Sequence, residues 1–162
     1  MPVPCAGAHI VRGESNALLK RAAALEEDVL LMDADKVCGV DHLESAVLHA
    51  RRTFERGRSS SNTLGMEVML YASGERQITK AKRKMGVHQG TERVAVVLLS
   101  LEGDMDLVLE RLGLERDDSL LDCTLEKGEA FGLDPLELGT LGPGYLQELV
   151  LEKVAFVDLL KR

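Results

Sequence analysis

Apolar residues recur along this chain with two periods, and the switches between them outline the fold. Residues 93–101 hold Val94, Ala95, Val96, Val97, Leu98 and Leu99 in one unbroken run, the pattern of a central strand covered on both faces. Val29, Leu30, Leu31 and Met32 predict a second buried strand, and residues 9–12 a short third. Elsewhere the spacing changes to three and four. Leu43, Ala46, Val47, Ala50 and Phe54 form one stripe of a helix opened by Asp41, with Glu44 three residues on as in a capping box. Ser15 caps an earlier helix running to residue 27, its apolar side made by Ala17, Leu18, Leu19, Ala22 and Leu25.

After a polar loop at 57–62 with three consecutive serines, Asn62 or Thr63 caps a helix that carries Leu64, Val68 and Tyr71 and ends near Ser73 and Gly74. A second helix, 75–85, follows at once and closes at Gly86. Two helices parted by one glycine must bend sharply, and the bend presents the unpaired first-turn amides of the second helix at its positive dipole end. Downstream, residues 105–112 predict a helix stopped by Gly113, and Asp134-Pro135 opens another short one. Leu146, Leu149, Val150, Val154, Val157 and Leu160 mark a long last helix over 145–160. Helices outnumber strands without alternating with them. The expected class is α+β: a single compact domain over 1–162, its small central sheet of buried strands covered by several helices, with a long C-terminal helix.

Composition and charge sharpen this outline. A chain of 162 residues has the size of one domain with one core. No apolar run approaches the roughly 20 residues needed to span a bilayer. The opening Met-Pro-Val-Pro-Cys lacks an export signal's basic and apolar regions, so a cytoplasmic location is expected. Cys5, Cys38 and Cys123 are odd in number and widely spaced, which predicts reduced structural thiols and argues against a disulfide framework or zinc knuckle. The net charge of −7 would argue against nucleic acid, but residues 1–50 carry −4, residues 51–93 carry +6 and residues 94–162 carry −9. The middle segment holds Arg51, Arg52, Arg56, Arg58, Arg76, Lys80, Lys82, Arg83 and Lys84. These make either one locally positive face or merely solvated helix surfaces.

The common nucleotide, dinucleotide, serine-hydrolase and zinc-protease motifs are absent. His42 and His49 share a helix but stand two turns, about 10 Å, apart along it, too far to bind one metal together; both read as polar surface or interface residues. Asp33 with Asp35, and Asp117 with Asp118, lack a nucleophile or base and read as turn formers and caps. No catalytic residue, metal site or cofactor is expected.

The segment Asp41-His42-Leu43-Glu44-Ser45-Ala46-Val47, continued through Ala50 and Phe54, closely resembles the kinase-binding subunit family of the KEOPS complex, as does the run Asn-Thr-Leu-Gly-Met-Glu-Val-Met-Leu-Tyr-Ala-Ser-Gly-Glu-Arg-Gln-Ile at 62–78. Gly86-Val87, the strand at 94–99 and Glu152-Lys153-Val154-Ala155 also sit where that family has them. The resemblance implies a non-enzymatic subunit that binds the small atypical kinase or ATPase of KEOPS and, as in archaeal members, the 3′ CCA tail of tRNA. The whole complex makes threonylcarbamoyladenosine beside the tRNA anticodon.

With those partners implied, residues acquire candidate roles. A single-stranded tail is read through splayed bases, ribose hydroxyls and a few phosphates. Gly65 and Gly74 allow close backbone approach; Arg76 and Lys80, one turn apart, suit phosphates; Gln77 and Glu67 suit base edges or ribose; Met66, Tyr71 and Ile78 offer packing faces. Glu67 paired with Arg76, and Tyr71 and Ile78 in the core, is the plainer alternative. For the kinase, the terminal helix with Val154, Phe156, Val157 and Leu160 is the candidate surface, Phe156 lying off the main stripe. The rival reading is a subunit that binds the kinase without RNA.

Overall fold

A computed structural model of the chain describes residues 3–11, 13–100, 102–131 and 135–160. In chain order the elements are β1 (Cys5–Ile10), α1 (Ser15–Ala23), β2 (Val29–Asp33), α2 (Val40–Glu55), α3 (Leu64–Ser73), α4 (Ile78–Met85), β3 (Arg93–Leu98), α5 (Met105–Leu112), β4 (Leu114–Arg116), α6 (Leu125–Ala130) and α7 (Pro135–Leu160). The four strands form one antiparallel sheet in the order β2-β3-β1-β4. The fold is a single α+β domain.

The unbroken apolar run of β3 is explained by its place inside the sheet, where both faces are covered. Ala95 and Val97 point into a core built with α2, α3, α4 and α7; Val94, Val96 and Leu98 point into a second core built with α1 and α5. The sheet is therefore the middle of three layers. Its first strand differs from the 9–12 expected because the residues that fill β1 are small: Ala6 and Ala8 are buried, and a Cβ on Gly7 would lie 2.5 Å from the Asp117 carbonyl oxygen. Close packing by Ala-Gly-Ala leaves little hydrophobic signal. Arg12, Leu101 and Asp134, which belonged to expected strand ends and a helix start, lie outside the described residues.

Several helix ends shift for local reasons. Helix α1 stops at Ala23, short of residue 27. Helix α2 starts behind Gly39 without a side-chain cap, so the Asp41 and Glu44 capping box does not form; Asp41 instead meets Gln147 of α7. Thr63 caps α3 as expected, its Oγ1 accepting from Met66 N at 3.2 Å. The aspartate pairs act as turn formers: Asp33 accepts from Asp35 N and Asp117 from Ser119 N. The separate short helix at Asp134-Pro135 is corrected, since α7 runs continuously from Pro135 to Leu160 through the Gly-Pro-Gly at 142–144.

Two side-chain expectations are overturned. Cys38 and Cys123 form a disulfide, their Cα atoms 4.0 Å apart across a sequence separation of 85. A hydrogen bond from Gly39 N to the Leu121 carbonyl, 2.6 Å, brings these segments together, a juxtaposition that sequence spacing does not reveal. Cys5 remains a free thiol, pushed up to about 11 by burial, with Glu44 and Asp118 adding to the shift. His42 is buried and not on a polar surface. Its Nδ1 accepts from Cys38 N at 3.0 Å and its Nε2 donates to the Ala72 carbonyl at 2.7 Å, so the ring joins the start of α2 to the end of α3. His49 sits at an interface, stacked on Tyr71 and bonded to Asp158 of α7. Among the described residues no cluster of His, Cys, Asp or Glu could hold a metal, and no helix is long and apolar enough to cross a membrane.

Candidate functional site

The bend between α3 and α4 is built by one glycine. Gly74 adopts φ +72°, ψ 15°, the left-handed conformation that ends a helix, and its N–H donates back to the Leu70 and Tyr71 carbonyls. Glu75 N follows to the Leu70 carbonyl at 3.2 Å, which completes a Schellman-type closure. The same glycine lies against the terminal helix: a Cβ there would stand 3.6 Å from the Lys153 Cβ and 3.9 Å from the Phe131 ring. The chain then leaves in extended form, and α4 begins three residues later than the sequence pattern suggests. Gln77 precedes α4 and supplies no side-chain cap, so the first-turn amides of α4 keep open donor capacity at the helix's positive end.

Helix α4 divides cleanly. Ala81 and Met85 are buried and Ile78 packs on the core, whereas Thr79, Lys80, Lys82 and Arg83 are exposed, with Arg76 and Gln77 before them. Among the described residues no acidic side chain pairs with Arg76, Lys80, Lys82 or Arg83. Lys84 lies on the flank, 4.0 Å above the Phe131 ring and 4.0 Å from Glu75. Burial holds its ammonium below the usual lysine range, with Glu75 partly opposing that shift. The result is a compact basic ridge that the fold itself leaves unneutralised.

A cleft flanks the ridge on each side. One, about 380 Å³, is lined by Gly74, Glu75, Lys84, Leu149, Lys153 and Phe156. The other, about 700 Å³, lies between α1, β2, α3 and α4, with Leu19, Leu30, Met66, Met69, Lys82 and Val87 among its lining. The candidate RNA residues are therefore not all in one place. Gly74, Arg76, Gln77, Ile78 and Lys80 gather at the bend. Met66 lines the larger cleft, and Gly65 is pressed toward Leu30 and Leu99. Glu67 and Tyr71 have no exposed surface. The Glu67 carboxylate accepts from the serine loop, and the Tyr71 hydroxyl donates to Asp158 and shares a 2.7 Å bond with Thr53. Burial and the bond to Asp158 push the Tyr71 phenol up to about 12. These two side chains tie elements together and are shielded from a ligand.

The terminal helix also sorts differently from expectation. Val154 and Val157 are fully buried, and Leu160 is half-buried, so the first two leave the candidate docking surface. Phe156 is 54 % exposed, and it is joined by Tyr145 and Leu159, which sequence reading overlooked. The signal was present: residues 145, 149, 152, 156 and 159 repeat at four and three, the seam spacing of a helix that meets another helix, on the side opposite Leu146, Val150, Val154 and Val157. Lys153 and Phe131, which floor the bend, carried no such pattern.

The model of the CGI-121 kinase binding protein family matches residues 13–124, which include β2, β3, β4, the α3–α4 bend and the basic ridge. The chain is also similar to the regulatory protein Cgi121 of Methanocaldococcus jannaschii, 30% identical over 131 residues, which cover 81% of this chain and 83% of that one. By the extent of both matches, the chain belongs to the CGI-121 family of kinase binding proteins.

Proposed function

We propose that this chain is a non-catalytic subunit of KEOPS that binds the complex's small atypical kinase or ATPase and holds the 3′ CCA end of tRNA, supporting threonylcarbamoyladenosine formation. The observation that carries the RNA half is the unpaired basic ridge of Arg76, Lys80, Lys82 and Arg83 behind an uncapped helix start. A short tail needs few cations and several donors, and the bend supplies Arg76, Gln77 and Lys80 together with open amides. Holding the acceptor end raises the local concentration of the distant anticodon loop at the transferase, as in any bivalent grip. The family's description as kinase-binding supports the other half.

Titration with intact tRNA and with tRNA lacking CCA should give clearly weaker binding for the truncated form; equal affinity overturns the RNA assignment. Arg76→Glu should lower affinity by about tenfold, the scale of one charge-assisted contact worth ~1.5 kcal/mol, while circular dichroism stays unchanged. The salt dependence should be shallow because few phosphates are engaged.

For the kinase, the seam of exposed Tyr145, Phe156 and Leu159 with half-buried Leu149 is the favoured surface. A charge in the centre of such a seam is costly to bury, so Phe156→Glu should abolish kinase co-purification. Undiminished recovery of the kinase would move its site elsewhere. The alternative, a subunit that binds the kinase only, predicts that Arg76→Glu changes nothing but surface charge.

A further inference from the structure

The fully buried Glu67 carboxylate takes hydrogen bonds from three donors of one surface loop. Ser60 N donates to Oε1 at 3.3 Å and to Oε2 at 3.0 Å, Ser61 N donates to Oε2 at 3.1 Å, and Ser61 Oγ donates to Oε2 at 2.5 Å. The loop is thus wrapped around the Glu67 side chain, and the hydroxyl of Ser61 is part of the wrapping. The neighbouring Arg56, Gly57, Arg58, Ser60 and Asn62 are exposed, and residues 57–63 form no helix or strand. Arg58 stands three residues before Ser61. A basic residue at that distance suits the acidic substrate grooves of kinases that select arginine-containing segments.

We propose that Ser61 is a phosphorylation site whose modification releases this loop from Glu67. In the reaction Ser61 Oγ attacks the γ-phosphorus of Mg·ATP held by a basophilic serine kinase. The Oγ–P bond forms, the bond from phosphorus to the bridging oxygen of ADP breaks, and the hydroxyl proton passes to the kinase's basic carboxylate. Opening residues 60–61 for this step requires local rupture of their bonds to Glu67, a low-cost motion compared with unfolding a helix.

After transfer the loop cannot close again. The donor that faced Glu67 is gone, and a group of nearly two negative charges has replaced it beside a buried carboxylate, where repulsion and desolvation act in the same direction. Outside, the phosphate finds Arg56 and Arg58. Ser59 and Ser60 lack this leverage, because among the described contacts neither gives its hydroxyl to Glu67. The released segment leads straight into the first turn of α3, where Met66 lines the larger cleft, so the loop is a lever on that cleft. The inference is independent of whether RNA binds at the bend.

The test treats the full chain with the catalytic subunit of cyclic-AMP-dependent protein kinase and Mg·ATP, maps phosphate by tandem mass spectrometry, and follows amide hydrogen exchange. The expected result is phosphate on Ser61, slowed by about tenfold in Arg58→Ala, with exchange across residues 60–67 faster by about tenfold in the modified chain. Ser61→Ala should take no phosphate at that position and Ser60→Ala should behave as the parent. Phosphate confined to Ser59 or Ser60, or modified Ser61 with unchanged exchange, overturns the proposal.

Discussion

Acidification from pH 7 to pH 4 should remove about 3 kcal/mol of stability through His42 alone, a large share of the roughly 5–15 kcal/mol that holds a domain of this size together. Burial, the largest cause, depresses the His42 imidazole to about 4; the bond to the Ala72 carbonyl opposes it, and Lys84 and Lys127 add to the depression. The unfolded chain titrates near 6.5. Above that value both states carry a neutral ring, and His42 leaves stability independent of pH. Below it the unfolded state binds a proton that the folded state refuses, so stability falls by up to about 1.4 kcal/mol per pH unit until the pH passes the folded value. Urea midpoints measured at pH 7.5 and 4.5 should show this loss in the parent chain. His42→Gln, which retains a donor and an acceptor but does not titrate, should show a flatter profile; identical slopes would refute the assignment.

Phe131→Ala should destabilise the fold by about 3–5 kcal/mol, the cost of deleting a buried ring where neighbours cannot fully collapse into the space. The ring is 2 % exposed, meets His42 edge-on with centroids 5.4 Å apart, and carries the Lys84 ammonium 4.0 Å above it. No single element owns it. It lies just beyond α6, touches α2 through His42, and lies close to Gly74 at the α3–α4 bend. Chemical denaturation should therefore show a fall in midpoint, and Phe131→Leu, which refills much of the volume, should cost less than half as much. A midpoint shift below 1 kcal/mol, on the order of an exposed substitution, would mean that the ring is not the keystone its contacts imply.

How far the sequence could be read depended on what each position was asked to do. The β3 run was legible because a strand covered on both faces must be apolar at every step, and the ends of α3 and α5 were legible because Gly74 and Gly113 adopt left-handed backbone that few other residues tolerate. β1 was placed too late because close packing at Ala6, Gly7 and Ala8 selects small size over hydrophobicity. Pro135 suggested the opening of a separate short helix, whereas it begins the continuous α7. At the site, periodicity found the exposed cations of α4, since a charged side chain on the outer face of an amphipathic helix has nowhere else to go. It put His42 on a polar surface. The RNA roles offered for Glu67 and Tyr71 once the resemblance implied RNA gave way to burial, the core position of Tyr71 having been the plainer alternative. The polar atoms of all three are satisfied by residues 4 to 87 positions away. Local pattern carries no trace of such partners. The same holds for Cys38 and Cys123.

The uneven charge map has a further consequence once folded. A body of net −7 that exposes Arg76, Lys80, Lys82 and Arg83 close together carries its charge unevenly and behaves as an electric dipole in solution. Polyanions that drift toward most of its surface are repelled, while those that approach the ridge are drawn in and turned to face it. Selectivity of this kind acts during the encounter, before any base or side chain is read, and it disfavours the indiscriminate sticking that a uniformly basic molecule would show.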